Sequence, residues 1–146
     1  MRVAERMRPE PPAVDPGESL GRAGRLLARH RLGAVPVVRG HALIGLLDAA
    51  DLDGAHPSVA TTLAIGEIAD RLDRVPVERV LRPDLAAVGR RTPLVDAIRL
   101  MRARHLAALP VVQGDRLVGL LTEDDLLELL AALLAERPPS TAPSSD

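Results

Sequence analysis

The sequence contains no cysteine and no aromatic residue. It also contains no lysine, since all 19 of its basic residues are arginine. The missing cysteine excludes disulfides, thiolate catalysis, cysteine-based zinc sites and iron–sulfur clusters. The missing lysine excludes Schiff-base chemistry and the lysine of a phosphate-binding P-loop. Without aromatic rings, no base can stack on an aromatic side chain. The 19 basic and 20 acidic residues nearly cancel, so no basic excess neutralises phosphates and we expect no nucleic-acid partner.

Long hydrophobic runs are also missing. No stretch approaches the roughly 18 apolar residues of a membrane span, and the charged N-terminus has no apolar signal-peptide region. We therefore expect neither membrane insertion nor secretion, and predict a cytoplasmic protein. The 146 residues are 47% apolar, which is enough to form one compact domain or two half-sized units that share a core.

An internal repeat is present. A shift of 74 positions aligns Met7–Leu52 with Leu81–Leu126 without a gap, and 20 of the 46 aligned pairs are identical. The identities are concentrated in the segments Pro36–Val38 and Leu43–Leu47 and their counterparts. Two copies are too few for a solenoid, so we expect the two units to pack face to face with pseudo-two-fold symmetry.

Each unit has the pattern of a hairpin between two helices. Pairs of short apolar runs, separated by a turn that contains glycine, predict the hairpins. They are Val35–Val38 with Leu43–Leu47, and Leu109–Val112 with Leu117–Leu121. An earlier short strand is expected near Val14 and Val88. The predicted fold class is α/β (α+β), with two β-α-β-β-α repeats.

Helix boundaries follow from capping residues. In the second unit, Thr92 is predicted to cap the first helix, with Pro93 at the first helical position. The helix after each hairpin is predicted to open at Asp48 or Thr122. We predict a first repeat at residues 3–54, a connector at 55–76 with a short helix near 65–72, and a second repeat at 77–136. Residues 137–146, rich in proline, serine and threonine, are predicted to be a disordered tail.

One seven-residue run and one four-residue run carry a family resemblance. Gly119–Asp125 has a glycine, two apolar residues, a threonine, two further residues and an aspartate, and Leu109–Val112 reads Leu-Pro-Val-Val. At these residues the chain resembles the cystathionine-β-synthase (CBS) domain family, in which two paired units form a Bateman module. The resemblance covers residues 3–136. It implies a regulatory, non-catalytic protein with no obligatory cofactor and no metal, whose cleft between units binds AMP, ADP, ATP or S-adenosylmethionine.

The resemblance also implies a set of ligand-binding residues. Asp125 would accept hydrogen bonds from the ribose hydroxyls, since a carboxylate offers two acceptor oxygens to a diol. Thr122 would donate to a phosphate, helped by the helix N-terminus that it opens. The backbone of Leu85, Ala86 and Ala87 would meet the adenine edge, and Leu109 with Pro110 would form an apolar wall.

Capping without ligand contact is the alternative interpretation of the same residues, because threonine followed by acidic residues is a favourable helix start. The first unit has Asp48 where the second has Thr122. Aspartate is as good a cap, but beside a phosphate it adds a like charge and lacks a hydroxyl donor. We therefore expect phosphate binding only in the second unit, whereas Asp51, the counterpart of Asp125, can still hold a ribose.

The chain departs from the family at a second place. Nucleotide-binding members often carry a cation just before the Pro-Val segment, where this chain has Gly33-Ala34 and Ala107-Ala108. We therefore expect a ligand with few phosphates, or one held by arginines from elsewhere. An adenosine-containing cation such as S-adenosylmethionine would suffer less from the missing charges.

The last helix, predicted at 123–136, has leucines on more than one face. They are either buried within the monomer or form a self-complementary two-fold contact with a second copy. The functional hypothesis is a sensor that binds an adenosine ligand and acts on an unknown regulated protein, as a homodimer. The alternative is a structural dimerisation module with no ligand.

Overall fold

The computed structural model describes residues 1–54, 71–82 and 85–136. The first repeat contains a 3-10 turn (Val3–Glu5), β1 (Arg8–Pro9), α1 (Leu20–His30), β2 (Ala34–Arg39), β3 (Ala42–Asp48) and α2 (Ala49–Gly54). The second contains a 3-10 turn (Val77–Arg79), α3 (Leu94–Ala103), β4 (Ala108–Gln113), β5 (Arg116–Thr122) and α4 (Glu123–Glu136). The predicted tail and most of the predicted connector, with most of its helix, lie outside the described residues. None of the helices in the described ranges has both the length and the apolar character needed to cross a bilayer.

Both predicted hairpins are confirmed. β2 pairs with β3 and β4 pairs with β5, both antiparallel, and their registers are equivalent: Ala34 lies opposite Asp48, and Ala108 lies opposite Thr122. Each hairpin has an irregularity at the same place, after Val37 and after Val111. The two copies of the repeat therefore fold alike, and the mixed α+β fold is confirmed.

The hairpins meet at a pseudo-two-fold axis between β3 and β5. Ala42 lies opposite Arg116, and these residues occupy the same position in the two repeats. On either side, Leu43 N donates to Asp115 O at 2.8 Å and Leu117 N donates to His41 O at 3.2 Å. These two bonds are exchanged by the 74-residue shift. The hydrogen bonds between repeats thus show the symmetric packing that the sequence predicts.

The first residues of each repeat pack in the core of the other repeat. The backbone N–H of Val3 donates to Thr92 O at 3.0 Å, and that of Val77 donates to Glu18 O at 2.8 Å. Both valine side chains are fully buried. Val3 packs in the core of the second repeat, and Val77 packs in the core of the first. We call residues 1–9 and 76–82 the crossing segments, because each one completes the core of the opposite repeat.

The crossing segments explain the glycine in the β3 and β5 runs. β1 pairs with β5, and Pro9 lies opposite Gly119. A Cβ added at Gly119 would overlap Met7 Sδ, and one added at Gly45 would overlap Leu81 Cδ2. Met7 and Leu81 are equivalent residues of the two crossing segments. A side chain at residue 119 would therefore displace the Met7 side chain and lie against Arg8 O, 3.2 Å from the added Cβ, and a side chain at residue 45 would displace the Leu81 side chain.

Two local predictions were wrong. The strands expected near Val14 and Val88 are single parallel bridges to Val37 and Val111. Thr92 does not cap α3: Pro93 occupies the N-cap position without a side-chain bond, and Thr92 Oγ1 instead accepts from Gly89 N at 3.2 Å.

The same backbone contact precedes the first helix of both repeats. The Thr92 carbonyl accepts from Val3 N, and the equivalent Glu18 carbonyl accepts from Val77 N, so both residues lie just outside their helix. The next residue is the N-cap in each repeat: Ser19 caps α1 by accepting from Arg22 N at 3.1 Å, whereas Pro93 has no side-chain oxygen that could cap α3.

Val3→Ala should destabilise the protein although residue 3 lies near the chain terminus. Removing two buried methyl groups costs about 2 kcal/mol, including the cavity left behind. Urea unfolding followed by far-ultraviolet circular dichroism measures this. The control is Val95→Ala, because Val95 is 51% exposed and its truncation should cost less than about 0.5 kcal/mol. Equal small effects of both variants would contradict the burial of Val3.

Candidate functional site

The helices after the two hairpins begin with matching caps. Thr122 is buried, and its Oγ1 accepts from Asp125 N at 3.1 Å. In the first repeat, Asp48 Oδ1 accepts from Asp51 N and Asp51 Oδ2 accepts from Asp48 N, both at 2.9 Å. The predicted capping role of Thr122 and Asp48 is therefore confirmed. Capping also fixes the Asp51 carboxylate, which accepts from Asp48 N, whereas the cap of α4 holds Asp125 by its backbone N–H.

Asp125 is bonded to an arginine from the opposite repeat. Arg8 Nε lies 3.0 Å from Asp125 Oδ2 and 3.2 Å from Oδ1. Its Nη2 lies 3.4 Å from Thr122 Oγ1, and its Nη1 donates to His30 O at 2.7 Å. The side chain of Asp125 is 18% exposed and that of Arg8 is 29% exposed. One guanidinium thus connects β1, the end of α1 and the start of α4.

An equivalent arginine–aspartate pair joins the crossing segment of the second repeat to the first repeat. Arg82 Nε donates to Asp51 Oδ1 at 2.9 Å, and its Nη2 also contacts that oxygen. Arg82 Nη2 lies 4.0 Å from Asp48 Oδ1. The pKa of Arg82 is raised, chiefly by the hydrogen bond to Asp51, so the guanidinium stays charged at every ordinary pH. This site holds two carboxylates for one arginine.

The sequence reasoning missed Arg8 and Arg82, although a signal was present. Both lie in an Arg-Pro dipeptide, and the two dipeptides are 74 residues apart, which is the repeat spacing. The sequence did not indicate which residue each arginine would pair with. A charged residue in an aligned position is compatible with solvent exposure, and only the crossing segments bring each arginine to the opposite repeat's carboxylate.

A small cavity lies beside Asp51. Its volume is about 60 Å³, and residues of both repeats line it: Leu46, Asp48, Asp51, Arg82, Leu85, Ala86 and Leu106. The structure therefore places two of the residues predicted at the adenine edge, Leu85 and Ala86, with Asp51. They do not line the cavity beside Thr122. Ala87 is exposed.

A larger cavity lies beside Thr122. Its volume is about 220 Å³, and it is lined by Thr122, Glu123, Asp124 and Leu127 of the second repeat with Arg31 and Gly33 of the first and the small Ala107. Asp125 does not line it, because its carboxylate faces Arg8. Both cavities are thus clefts between the repeats, and Arg31 supplies a cation to the one beside Thr122.

The predicted apolar wall lies deeper than expected. Leu109 is fully buried in the core of the second repeat, and Pro110 is buried in the middle of β4. The backbone just before β4 is closer to the cleft, since Ala107 lines the cavity beside Thr122. In this structure the side chain of Leu109 therefore has no surface that faces a cleft.

Packing at the pseudo-two-fold axis explains why small residues replace the cations that nucleotide-binding relatives carry. Gly33 and Ala107 are equivalent residues, and they contact each other across the axis. A Cβ added at Gly33 would lie 2.9 Å from Ala107 O. No side chain fits at residue 33 without moving the Ala107 backbone, so a cation that meets a phosphate must come from another position in the chain.

The clefts contain carboxylates, guanidinium groups and one hydroxyl. Among the residues that the structure describes, no three acidic or histidine side chains come together as a metal site. The arrangement suits recognition of a ligand with both a diol and an anionic group, because carboxylates accept from hydroxyls and arginine pairs with anions.

Comparisons with known proteins are consistent with this fold. The family model of the CBS domain matches residues 3–56 and 77–132. The CBS domain-containing protein YhcV of Bacillus subtilis (strain 168) is 30% identical over 124 residues, which cover 85% of this chain and 81% of that protein. The crystal structure of AcuB from Vibrio cholerae superposes with a TM-score of 0.75 at 24% identity, covering 95% of this chain and 98% of that one.

The crystal structure of CBSX2 in complex with AMP is also similar. Its TM-score is 0.69 at 26% identity, and the match covers 93% of this chain and 98% of that chain.

Thr122→Ala should lower the free energy of unfolding by about 1 kcal/mol, because it removes the cap of α4. Thr122→Ser keeps the capping oxygen and should recover most of the loss. Urea unfolding of both variants measures the difference. If serine and alanine destabilised the protein equally, the hydroxyl would not be the stabilising group.

Proposed function

The chain belongs to the CBS domain family, and from this membership we propose that it is a regulatory, non-catalytic module that binds an adenosine-containing ligand between its repeats. The observation that carries the proposal is the Asp125 carboxylate. It is largely shielded from solvent, the backbone of the same residue is held by the cap of α4, and Arg8 contacts both this carboxylate and the Thr122 hydroxyl. Two carboxylate oxygens match the two hydroxyls of a ribose.

A relative supports the choice of ligand class. CBSX2, which is 26% identical to this chain over most of both lengths, was crystallised with AMP. Both clefts are lined by residues of both repeats, which supports a nucleoside site between the repeats, and Asp125 lies beside Thr122 outside the lining of either cleft. We assign the ribose to Asp125 rather than Asp51, because Asp51 Oδ2 already accepts from Asp48 N in the helix cap.

The proposed mechanism is a population shift. Arg8 and Asp125 form a link between the crossing segment before α1 and the start of α4. A ribose that takes the carboxylate replaces this link with bonds to the ligand. Ligand binding then favours the arrangement of the repeats that fits the ligand best, and a regulated protein bound to the module senses that arrangement.

The exposed leucines of α4 support a homodimer as part of the same proposal. Leu127, Leu130, Leu133 and Leu134 are each about half or more exposed. With Ile98 of α3, the first three line an open groove of about 620 Å³. A self-complementary contact with a second copy would bury this apolar surface. These leucines also favour the alternative function, a dimerisation module whose clefts bind nothing.

Asp125→Asn should weaken AMP binding by roughly tenfold or more, because it removes a charged acceptor for the ribose hydroxyls. Isothermal titration calorimetry with AMP, ADP, ATP and S-adenosylmethionine measures this. The matched control is Asp96→Asn, which removes an equal charge from an exposed position on α3 that lines neither cleft and should keep the affinity within about twofold.

Measurements on the wild-type protein distinguish the ligand-binding module from the dimerisation module. A ligand that binds the native state must also raise its melting temperature. If none of the four compounds gave heat or raised the melting temperature, the proposed ligand function would be contradicted, and the dimerisation module would be favoured.

Leu130→Glu should convert the dimer to a monomer, because a buried, unpaired carboxylate in an apolar contact is costly. Sedimentation equilibrium measures the mass. Ala131→Glu is the control on the same helix: Ala131 is exposed and does not line the groove, so the dimer should persist. A monomeric wild-type protein would contradict this part of the proposal.

A further inference from the structure

Arg8 has four polar neighbours and can exchange one of them. Its Nε is bonded to the Asp125 carboxylate, its Nη1 to the His30 carbonyl, and its Nη2 lies 3.4 Å from Thr122 Oγ1. A second acidic residue, Asp124, lies 3.9 Å from Nη2 and is exposed. Asp125, at 3.0 Å and 18% exposed, is therefore the nearer and better shielded of the two carboxylates that neutralise Arg8, and it is the one that we assign to the ribose.

Ribose binding changes the partner of Arg8. The diol and the guanidinium both need the oxygens of Asp125, so a ribose that takes them displaces Arg8 Nε. The bond from Nη1 to His30 O does not involve the carboxylate, and it can keep the guanidinium beside the site. A cation that loses its counter-charge in a partly shielded place binds an anion strongly, and the planar guanidinium fits a phosphate with two parallel bonds.

We infer that Arg8 selects the ligand: in the site that rests on the proposed function, it is the phosphate-binding residue, and it directs the site towards adenosine phosphates. The Thr122 hydroxyl lies close enough to Arg8 Nη2 for one phosphate oxygen to contact both. Arg8 thereby supplies the cation that Gly33 and Ala107 cannot supply. A sulfonium ligand gains nothing from a displaced guanidinium, so S-adenosylmethionine is disfavoured.

The equivalent arginine is less suited to this role. Arg82 keeps the Asp48 carboxylate 4.0 Å away when Asp51 is taken, and this carboxylate is 33% exposed, whereas Asp124 beside Arg8 is 55% exposed. Asp48 is therefore the less screened of the two second carboxylates, and it repels a phosphate. The side chain of Arg82 is also 63% exposed, which weakens any ion pair by solvent screening. The two sites therefore differ in charge and in solvent exposure.

The test compares adenosine with AMP, which differ only in the phosphate, by calorimetry. Wild-type protein should bind AMP more tightly than adenosine. Arg8→Gln should reduce this preference by roughly tenfold or more, because the lost bond is a charged one. Adenosine itself should bind as well or better, since Arg8 no longer competes for Asp125. Arg22→Gln removes the same charge from an exposed position on α1 and should leave the preference unchanged.

Further variants keep the test decisive. Arg82→Gln should change the preference less than Arg8→Gln; the opposite order would overturn the inference. Far-ultraviolet circular dichroism checks folding. If Arg8→Gln does not fold, Arg8→Lys replaces it, and the loss of the paired bonds should reduce the preference by roughly threefold or more.

The outcomes separate the inference from the proposed function. If AMP and adenosine bind but an Arg8 variant leaves their affinity ratio unchanged, the role of Arg8 is overturned and the nucleoside site stands. Tighter wild-type binding of S-adenosylmethionine than of AMP would also overturn it. If neither adenosine nor AMP binds to the wild-type protein, the proposed function fails, and the inference fails with it.

Discussion

The burial of Val3 and Val77 in each other's repeat is the constraint on which the rest of the structure depends. Each repeat lacks a residue of its own core and receives it from the segment that precedes the other repeat. Neither core is complete without the opposite crossing segment, so we expect the two repeats to fold as one cooperative unit. The same crossing places the Leu81 and Met7 side chains against Gly45 and Gly119, where the opposite segment passes over the sheet.

The crossing also creates the candidate site. It brings Arg8 to the second repeat's carboxylate and Arg82 to the first repeat's, and each pair joins an element of one repeat to a helix of the other. A ligand that competes for a carboxylate therefore acts on a contact that holds the repeats together. This is the physical basis for a regulatory role: the binding energy is coupled to the arrangement of the repeats. The difference between Thr122 and Asp48 then makes two similar sites unequal.

Features encoded locally were predictable, and contacts between distant segments were not. The hairpins follow from apolar runs around a glycine-containing turn, and the caps at Thr122 and Asp48 follow from residue type. The Thr92 cap failed because Pro93, which has no side-chain oxygen, occupies the N-cap position, and the Thr92 carbonyl bonds to Val3, 89 residues earlier in the chain. The family resemblance grouped Leu85 with Asp125 as ligand-binding residues. The structure places it with Asp51, since the crossing brings the beginning of one repeat to the helix of the other.

A double-mutant cycle on Arg8 and Asp125 tests the crossing most directly. Urea unfolding of Arg8→Gln, Asp125→Asn and the double variant should give a coupling energy of about 1 kcal/mol, a modest value because both side chains are partly exposed. The same cycle on Arg8 and Asp51, which belong to the same repeat, should be additive within about 0.3 kcal/mol. If the cycle with Asp51 showed coupling and the cycle with Asp125 were additive, each crossing segment would pack on its own repeat. That result would contradict the crossing of the two segments.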